Sequence, residues 1–120
     1  CFLNTSDGVL LAACSNGLYR YNEQDSLFVP FLLDEEKPHV RYLAEDGDKT
    51  LWIDTNKGLM RYSLEKKQFV SLPTLIQPFT QQCNNAVLIS SNQLLFNTNN
   101  DFFVYHIQSN TLCNLSKDLG

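Results

Sequence analysis

The residues of this sequence that could take part in catalysis or bind metals do not form a known motif. The two histidines, His39 and His106, lie in unlike contexts, and neither has metal-ligand spacing around it. The sequence has no G-x-S-x-G nucleophile elbow, no phosphate-binding glycine loop and no Cys paired with His by motif. We therefore expect no catalytic residue, no metal site and no cofactor in this segment.

Acidic residues occur in short runs, DEE at 34–36 and ED at 45–46. Paired carboxylates can act as acid and base in glycoside hydrolysis, but loops carry such charges in any case, so solvated loop charge is the favoured interpretation. A calcium site built on EDGD, residues 45–48, would lack the rest of the ligand series of a calcium loop.

The four cysteines, Cys1, Cys14, Cys83 and Cys113, are widely spaced and include no C-x-x-C pair, which disfavours zinc and redox motifs. Cys14 and Cys113 fall in predicted strands, which suits buried free thiols. A disulfide between Cys1 and Cys83 stays open, so the cysteines do not define the redox compartment.

Charge and hydropathy exclude two classes of partner. The 120 residues carry a net charge of −4, and the nine basic residues form no run longer than the pair Lys66 and Lys67, which disfavours nucleic acid and anionic membrane surfaces. No apolar run approaches the roughly 18 to 20 residues that cross a bilayer, and CFLNTSDG lacks a signal-peptide layout. Because the chain starts on Cys and ends on KDLG, we interpret it as a piece of a longer polypeptide.

A repeat organises almost the whole chain. Aligning Tyr21, Tyr62 and Tyr105 superimposes LLAACSNGLYRYNEQDSLFVPF, LWIDTNKGLMRYSLEKKQFVSL and LLFNTNNDFFVYHIQSNTLCNL, with a period of about 42 residues. Apolar, small and turn-forming residues recur in the same columns. These columns include Leu10, Leu51 and Leu94; Leu11, Trp52 and Leu95; Cys14, Thr55 and Thr98; Gly17, Gly58 and Asp101; and Leu18, Leu59 and Phe102.

Each copy is typical of four antiparallel strands. Residues 51–55 suit a strand buried on both faces, TNKG suits a tight hairpin, LMRY a returning strand, and QFVSL a fourth strand. The alternating runs VRYLAED and NAVLISS would form the first strands of the second and third copies. SLEKKQF is too short to predict a helix.

Four strands at this period predict an all-β fold, a β-propeller fragment of about three four-stranded antiparallel blades. We place the blades at 1–33, with its first strand incomplete, at 34–76 and at 77–120, all in one larger propeller domain. A β-sandwich is the alternative, but it gives no reason for near-identical units. Trp52 and the recurring tyrosines are then expected to pack between blades.

Ligand contacts are expected among polar residues that differ between copies. In a propeller the loops between second and third strands and the loops joining blades open on the same face. Amide and guanidinium groups there suit a hydroxyl-rich ligand, and sugar recognition would add an aromatic ring. The candidates are His39, Arg41, Tyr42, Asn56, Lys57, Gln81, Gln82 and Asn84, with Asn16, Asn99, Asn100 and Phe79 as further members of these loops.

LWIDTNKGLMRYSLEKKQF resembles the regulator-propeller repeat, whose pattern is approximately L-W-[IV]-G-T-x-x-G-L-x-[RK]-[FY]-x followed by a polar turn and Phe. Asp54 departs from the Gly of that pattern. The first copy keeps Gly17, Leu18, Arg20, Tyr21 and Phe28, and the third copy is the most degenerate.

Such repeats are similar to those in the periplasmic sensor region of hybrid two-component system histidine kinases of Bacteroides-type bacteria. The resemblance implies two propellers and a small β-sandwich, followed by a membrane span and cytoplasmic kinase and regulator modules. It also implies periplasmic sensing of glycan-derived oligosaccharides by a homodimer, with signalling to transcription. This segment would then be no enzyme and would meet the membrane only through the rest of its parent chain.

Two other functional classes stay open. These blades could support a propeller enzyme, such as a lyase or glycosidase, whose site is made elsewhere, or they could form a protein-docking scaffold.

Overall fold

A computed structural model describes residues 1–31 and 38–118 of the chain. Within these residues, twelve strands form three separate four-stranded sheets, and every pairing in them is antiparallel. The only helical turns in the described residues are two short 3₁₀ segments, Gln77–Gln82 and Leu115–Asp118. The three-blade propeller fragment is therefore confirmed. The acidic run at 34–36 lies outside the described residues, and the proposed blade boundaries stay predictions.

Strand order follows chain order in each sheet. Blade 1 contains β1 (Phe2–Asn4), β2 (Leu10–Cys14), β3 (Gly17–Asn22) and β4 (Leu27–Pro30). Blade 2 contains β5 (Val40–Glu45), β6 (Thr50–Thr55), β7 (Gly58–Ser63) and β8 (Gln68–Val70). Blade 3 contains β9 (Asn85–Ser90), β10 (Gln93–Asn97), β11 (Phe102–His106) and β12 (Thr111–Asn114).

The two hairpins of each blade use different turn chemistry. Between the second and third strands, Gly17 and Gly58 have φ values of 136° and 125°, which side chains disfavour. Between the third and fourth strands, one aligned column is left-handed in every copy: Ser26, Lys67 and Asn110 have φ near 54–55°. Sequence propensity singles out the glycines but not Ser26 or Lys67, which are unusual residues for this conformation.

The second strand of blade 2 is buried on both faces, as its apolar composition predicts. Side chains alternate across a strand, so Leu51 and Ile53 enter the core shared with blade 1, whereas Trp52 enters the core shared with blade 3. Each of these three side chains is almost completely buried. β6 therefore packs against both neighbouring blades.

The recurring tyrosines pack toward the preceding blade. Tyr62 lies in the core between blades 1 and 2, and Tyr105 lies in the core between blades 2 and 3, with its ring centroid 6.4 Å from that of Trp52. The Tyr105 hydroxyl donates a hydrogen bond to Asn110 Oδ1 at 2.6 Å. The structural role predicted for Trp52 and for these two tyrosines is confirmed.

The EDGD turn is built around one buried carboxylate. Asp46 Oδ2 accepts a hydrogen bond from Trp52 Nε1 at 2.8 Å, and its Oδ1 accepts from the backbone N–H groups of Asp48 and Thr50. The next residue, Gly47, donates its N–H to Ser91 O of blade 3. This carboxylate satisfies the polar atom of a buried indole and shapes the turn.

Both outer flanks of the three-blade stack are apolar and exposed. On blade 1, Phe28 contacts the rings of Phe2, which is 71% exposed, and Tyr21. On blade 3, Ile89 and Phe102 are 52% and 51% exposed. In the repeat, Tyr21 aligns with Tyr62 and Tyr105, and Phe102 aligns with Leu18 and Leu59. These four aligned residues are buried because a neighbouring blade covers each of them.

We predict that the isolated 120-residue chain self-associates, because each flank offers apolar surface that matches the opposite flank of another copy. Size-exclusion chromatography with light scattering should show species above the monomer. The double substitution Ile89→Lys and Phe102→Lys should reduce association, whereas Asn100→Lys, which adds charge to a polar turn, should not. A cooperatively folded monomer at high concentration would contradict the prediction.

A second prediction concerns the Trp52 and Asp46 pair. Trp52→Ala should lower the free energy of unfolding by about 3–5 kcal/mol, because it empties a core position. Asp46→Ala should cost about 1–3 kcal/mol, because it leaves the buried indole N–H without its acceptor. Denaturant unfolding measures both, and Asp48→Ala in the same turn is the matched control. An Asp46→Ala variant as stable as Asp48→Ala would contradict this account.

Candidate functional site

Several of the predicted site residues make hydrogen bonds to one another at one end of the sheets. In blade 2, the backbone N–H of His39 donates to Asn56 Oδ1 and the N–H of Asn56 donates to His39 O, both at 3.0 Å. In blade 3, Asn84 Nδ2 donates to Asn99 Oδ1 at 2.8 Å. In blades 2 and 3, the segment before the first strand thus binds the turn between the second and third strands. We call this polar end, built from residues 39–41, 54–57, 84–85 and 97–99, the turn face.

Arg41 occupies a β-bulge in the first strand of blade 2. Val40 pairs with Thr55 and Tyr42 pairs with Asp54, so Arg41 is an extra residue opposite this pair of partners. Bulges turn a side chain away from the direction that strict alternation would give it. Arg41 Nη2 donates to Asp54 Oδ1 at 3.0 Å, to Thr55 O at 2.9 Å and to Cys83 O at 3.4 Å.

Asp54 is the buried partner of this ion pair. Its side chain is 2% exposed, whereas that of Arg41 is 31% exposed. Burial raises the pKa of Asp54 above its ordinary value, although the Arg41 charge and hydrogen bonds from Arg41 and the Ala86 backbone act in the opposite direction. Arg41 and Asp54 therefore reach across the boundary between blades, one to Cys83 and the other to Ala86.

Tyr42 reinforces the same boundary. Its hydroxyl accepts a hydrogen bond from the N–H of Leu88 at 3.2 Å. β9 is an edge strand, and no strand pairs with it on the side that faces blade 2. The backbone N–H groups of Ala86 and Leu88 are successive donors on that side, and the side chains of Asp54 and Tyr42 accept them. A cleft of about 330 Å³ opens beside these contacts and is lined by Arg41, Tyr42, Asp54, Asn85, Ala86, Val87, Leu95, Phe96, Asn97 and Phe102.

The predicted site residues therefore fall into three groups. Arg41 and Tyr42 meet at the cleft. His39, Asn56, Lys57 and Asn84 lie exposed on the turn face, where the Lys57 N–H also donates to Thr55 Oγ1. Gln81 and Gln82 belong to the 3₁₀ segment Gln77–Gln82, and their side chains lie outside the described part of the structure.

One aromatic candidate belongs to the core. Phe79 packs against Phe103 with ring centroids 4.6 Å apart, and it contributes to the core between blades 2 and 3. Its ring therefore packs between blades and is not a platform for a ligand on the turn face. Ligand contact by the other candidates stays a prediction.

Sequence reasoning missed Asp54 and the amides Asn85 and Asn97. Asp54 did give a signal, because it replaces the Gly of the repeat pattern, but its partner could not be identified without the bulge. Asn97 stands in the same repeat column as Asp54, so a polar residue recurs there in blades 2 and 3. Asn85 is an ordinary strand-end residue in the sequence and gives no signal of its own.

The cysteines differ from expectation. All four are free, so Cys1 and Cys83 form no disulfide. The prediction of buried thiols at Cys14 and Cys113 is wrong, since Cys14 is half-buried and Cys113 is exposed on β12, the outermost strand of its blade. Cys83 is the buried cysteine, and its Sγ donates to Asn85 O.

No three His, Cys, Asp or Glu side chains in residues 1–31 and 38–118 come together as a metal-binding group. Nor does any helix there have the length and apolar character to cross a membrane.

We predict that Cys83 alkylates slowly. Burial and the nearby Asp54 charge raise the pKa of its thiol to about 11. Mass spectrometry after iodoacetamide treatment at pH 8 should show Cys113 modified well before Cys83. The neutral thiol stabilises the fold below pH 9.0, and this contribution is lost as the pH rises through about 11. Equal labelling rates in the folded protein would contradict the prediction.

Comparison with known proteins supplies a structural likeness. No protein-family model matches the sequence, and no curated protein matches it either. The extracellular domain of a hybrid two-component system from B. thetaiotaomicron matches 100% of this chain with a TM-score of 0.71 and 23% identity. A second such domain from the same bacterium matches 95% of the chain with a TM-score of 0.71 and 18% identity.

A lyase has a similar fold. Virginiamycin B lyase from Staphylococcus aureus matches 95% of the chain with a TM-score of 0.59 and 16% identity. The chain spans only 17% and 15% of the two extracellular domains and 39% of the lyase. At these identities the likeness concerns the fold, and the three blades resemble a part of the extracellular domains of hybrid two-component systems.

Proposed function

We propose that these blades belong to the extracytoplasmic sensing propeller of a hybrid two-component sensor histidine kinase that detects glycan-derived oligosaccharides. The observation that supports this function is the likeness of 95–100% of the chain to extracellular domains of such systems, at TM-scores of 0.71. In this proposal the segment lies in the periplasm as part of a homodimer. The kinase, the regulator module and the membrane span lie elsewhere in the parent chain, and the ligand signal leads to transcription.

The turn face is the proposed ligand surface. It combines exposed amides at Asn56, Asn84 and Asn99 with Arg41, whose side chain is 31% exposed. Such groups donate and accept hydrogen bonds at fixed positions, as recognition of a hydroxyl-rich ligand requires. Loops carried on rigid sheets hold these groups in place while leaving them accessible.

Contacts between blades provide a route for the signal. Arg41 and Tyr42 bind the backbone of the next blade through Cys83 O and the Leu88 N–H. A ligand that moves either side chain therefore changes the contacts that set the geometry of blade 2 against blade 3. A sensor transmits the occupancy of its ligand site when the ligand binds one arrangement of the blades more tightly than another.

The lyase likeness favours a second candidate, in which these blades support a propeller enzyme whose site lies elsewhere. The two candidates differ in what happens to the ligand. A sensor binds an oligosaccharide and releases it unchanged, whereas a lyase or glycosidase breaks a bond in it.

A thermal-shift screen tests the proposal on the intact polypeptide that carries these blades, using a panel of oligosaccharides. Selective binding should raise the melting temperature, because a ligand present at 100 times its Kd adds about 2.7 kcal/mol to the stability of the folded state. Chromatography of the recovered oligosaccharide is the control and should show no cleavage. Absence of any stabilising oligosaccharide would contradict the sensor, and cleavage of the bound one would favour the enzyme.

A further inference from the structure

We propose that a cleft between blades 1 and 2 is a second binding site, which takes a small aromatic carboxylate. The aromatic ring of the ligand enters the cleft, and its carboxylate meets Arg20 and Tyr62. The cleft lies at the end of the sheets opposite the turn face, between the β1–β2 loop of blade 1 and the β7–β8 turn of blade 2. This inference goes beyond oligosaccharide sensing and does not depend on it.

The walls of the cleft are mostly apolar. It has a volume of about 250 Å³, with Val9, Leu11 and Phe31 on the side of blade 1 and Tyr62 and Leu64 on the side of blade 2. The rings of Phe31 and Tyr62 meet edge to face, with centroids 5.8 Å apart. Both blades that form these walls belong to this chain, so the cleft is not an outer flank that another blade would cover. A concave apolar site with a few polar groups is typical of small-molecule binding.

At the boundary between blades 2 and 3, an indole fills the equivalent position. Trp52 stands in the repeat column of Leu11, and it is 1% exposed where it packs beside Tyr105. Asp46, which accepts the indole N–H, is replaced in blade 1 by Thr5. Both members of the indole pair thus differ together. A smaller side chain in place of a large one leaves a space lined by apolar groups, and a small aromatic molecule can occupy such a space.

Arg20 has lost the contacts that its counterpart makes. Arg61, in the same repeat column, lies over the Trp52 ring at 5.5 Å from the centroid and donates a hydrogen bond to Ser71 O. Arg20 borders the cleft and is half-buried, yet within residues 1–31 and 38–118 it makes no hydrogen bond, ion pair or ring contact. All of its N–H donors are therefore available to an anion, and the ring of a ligand can take the place of the missing indole.

Tyr62 supplies a second donor. The hydroxyl of its counterpart Tyr105 donates to Asn110, but blade 2 has Lys67 in the Asn110 column, and an ammonium group cannot accept. The Tyr62 side chain is only 5% exposed, and among the described residues its hydroxyl makes no hydrogen bond. This oxygen keeps contact with solvent at the cleft that the side chain lines. Burial raises the pKa of Tyr62, so the phenol stays protonated and can donate to a carboxylate.

The charges around the cleft favour an anion. Arg20 and Lys67 bring two positive charges, and Asp7 brings one negative charge. Asp7 is exposed, and within the described ranges it forms no ion pair with either cation. A ligand carboxylate can accept charge-assisted hydrogen bonds from Arg20 and a further one from the Tyr62 hydroxyl. The ring is needed as well, because an ion alone would leave the apolar walls in contact with water.

The test uses indole-3-acetate, indole-3-acetamide and acetate, with calorimetry on the intact polypeptide that carries these blades. Indole-3-acetate should bind roughly tenfold more tightly than its amide, the scale expected of charge-assisted pairing. Acetate should bind roughly tenfold more weakly than indole-3-acetate, or weaker still, because it has no ring to bury. Equal affinity for acid and amide would overturn the role of Arg20, and acetate as tight as indole-3-acetate would overturn the role of the ring. A folded protein that does not bind indole-3-acetate would overturn the site.

Substitutions locate the binding. Arg20→Gln should abolish the preference for the acid while the amide still binds. Lys66→Gln removes the same charge from an exposed residue that does not line the cleft, so this matched control should keep the preference. Thr5→Asp combined with Leu11→Trp installs in blade 1 the indole pair of blade 2. This double variant should fold, because the same pair packs at the neighbouring boundary, and it should lose binding of both indole probes because its own ring fills the cleft.

The variants give separate decisions. Binding of indole-3-acetate that persists in the folded double variant would overturn the assignment to this cleft. A preference for the acid that persists in Arg20→Gln would overturn the carboxylate contact, and this variant decides the matter however the double variant folds. Neither result bears on oligosaccharide sensing, which the thermal-shift screen tests with different ligands.

Discussion

The burial of one strand on both of its faces is the constraint on which the rest of this structure depends. β6 directs Leu51 and Ile53 into one core and Trp52 into the other, so a single extended segment contributes to both boundaries between blades. A sheet of four short strands cannot bury enough apolar area by itself, and stacking supplies the remainder. The indole of Trp52 fits this position because Asp46 accepts its N–H within the same blade, which leaves the ring free to meet Tyr105.

Polar contacts between blades satisfy backbone groups that apolar packing leaves without hydrogen-bond partners. The first strand of a blade has a partner on one side only, so its other side presents unpaired backbone donors. Asp54 and Tyr42 of blade 2 accept hydrogen bonds from the N–H groups of Ala86 and Leu88 of blade 3. Ser91 O of blade 3 accepts one from the N–H of Gly47. The boundary near the turn face is therefore specified by directional bonds, whereas the middle of each blade is specified by side-chain volume.

The fold could be predicted from the sequence because the repeat places equivalent residues in equivalent environments. The aligned Leu10, Leu51 and Leu94 columns, with the turn glycines, indicate strand order and burial before any coordinates are known. The site could be predicted only in part. Polar turns identified Asn56 and Asn84, but the Arg41 and Asp54 pair depends on a bulge that no local propensity indicates. Tyr42 and Phe79 looked alike as loop aromatics, and only packing separates an edge-capping hydroxyl from a core ring.

The bulge at Arg41 also affects how the first strand of blade 2 meets the core. Val40 and Leu43 are three residues apart, yet both contribute to the core shared with blade 1, which strict alternation would forbid. The inserted position shifts the alternation by one step, so the strand gains an arginine without giving up an inward-facing aliphatic residue. Adding a residue to a repeat, rather than replacing one, thus lets a single blade acquire its own polar chemistry while the hydrophobic frame it shares with the other blades stays the same.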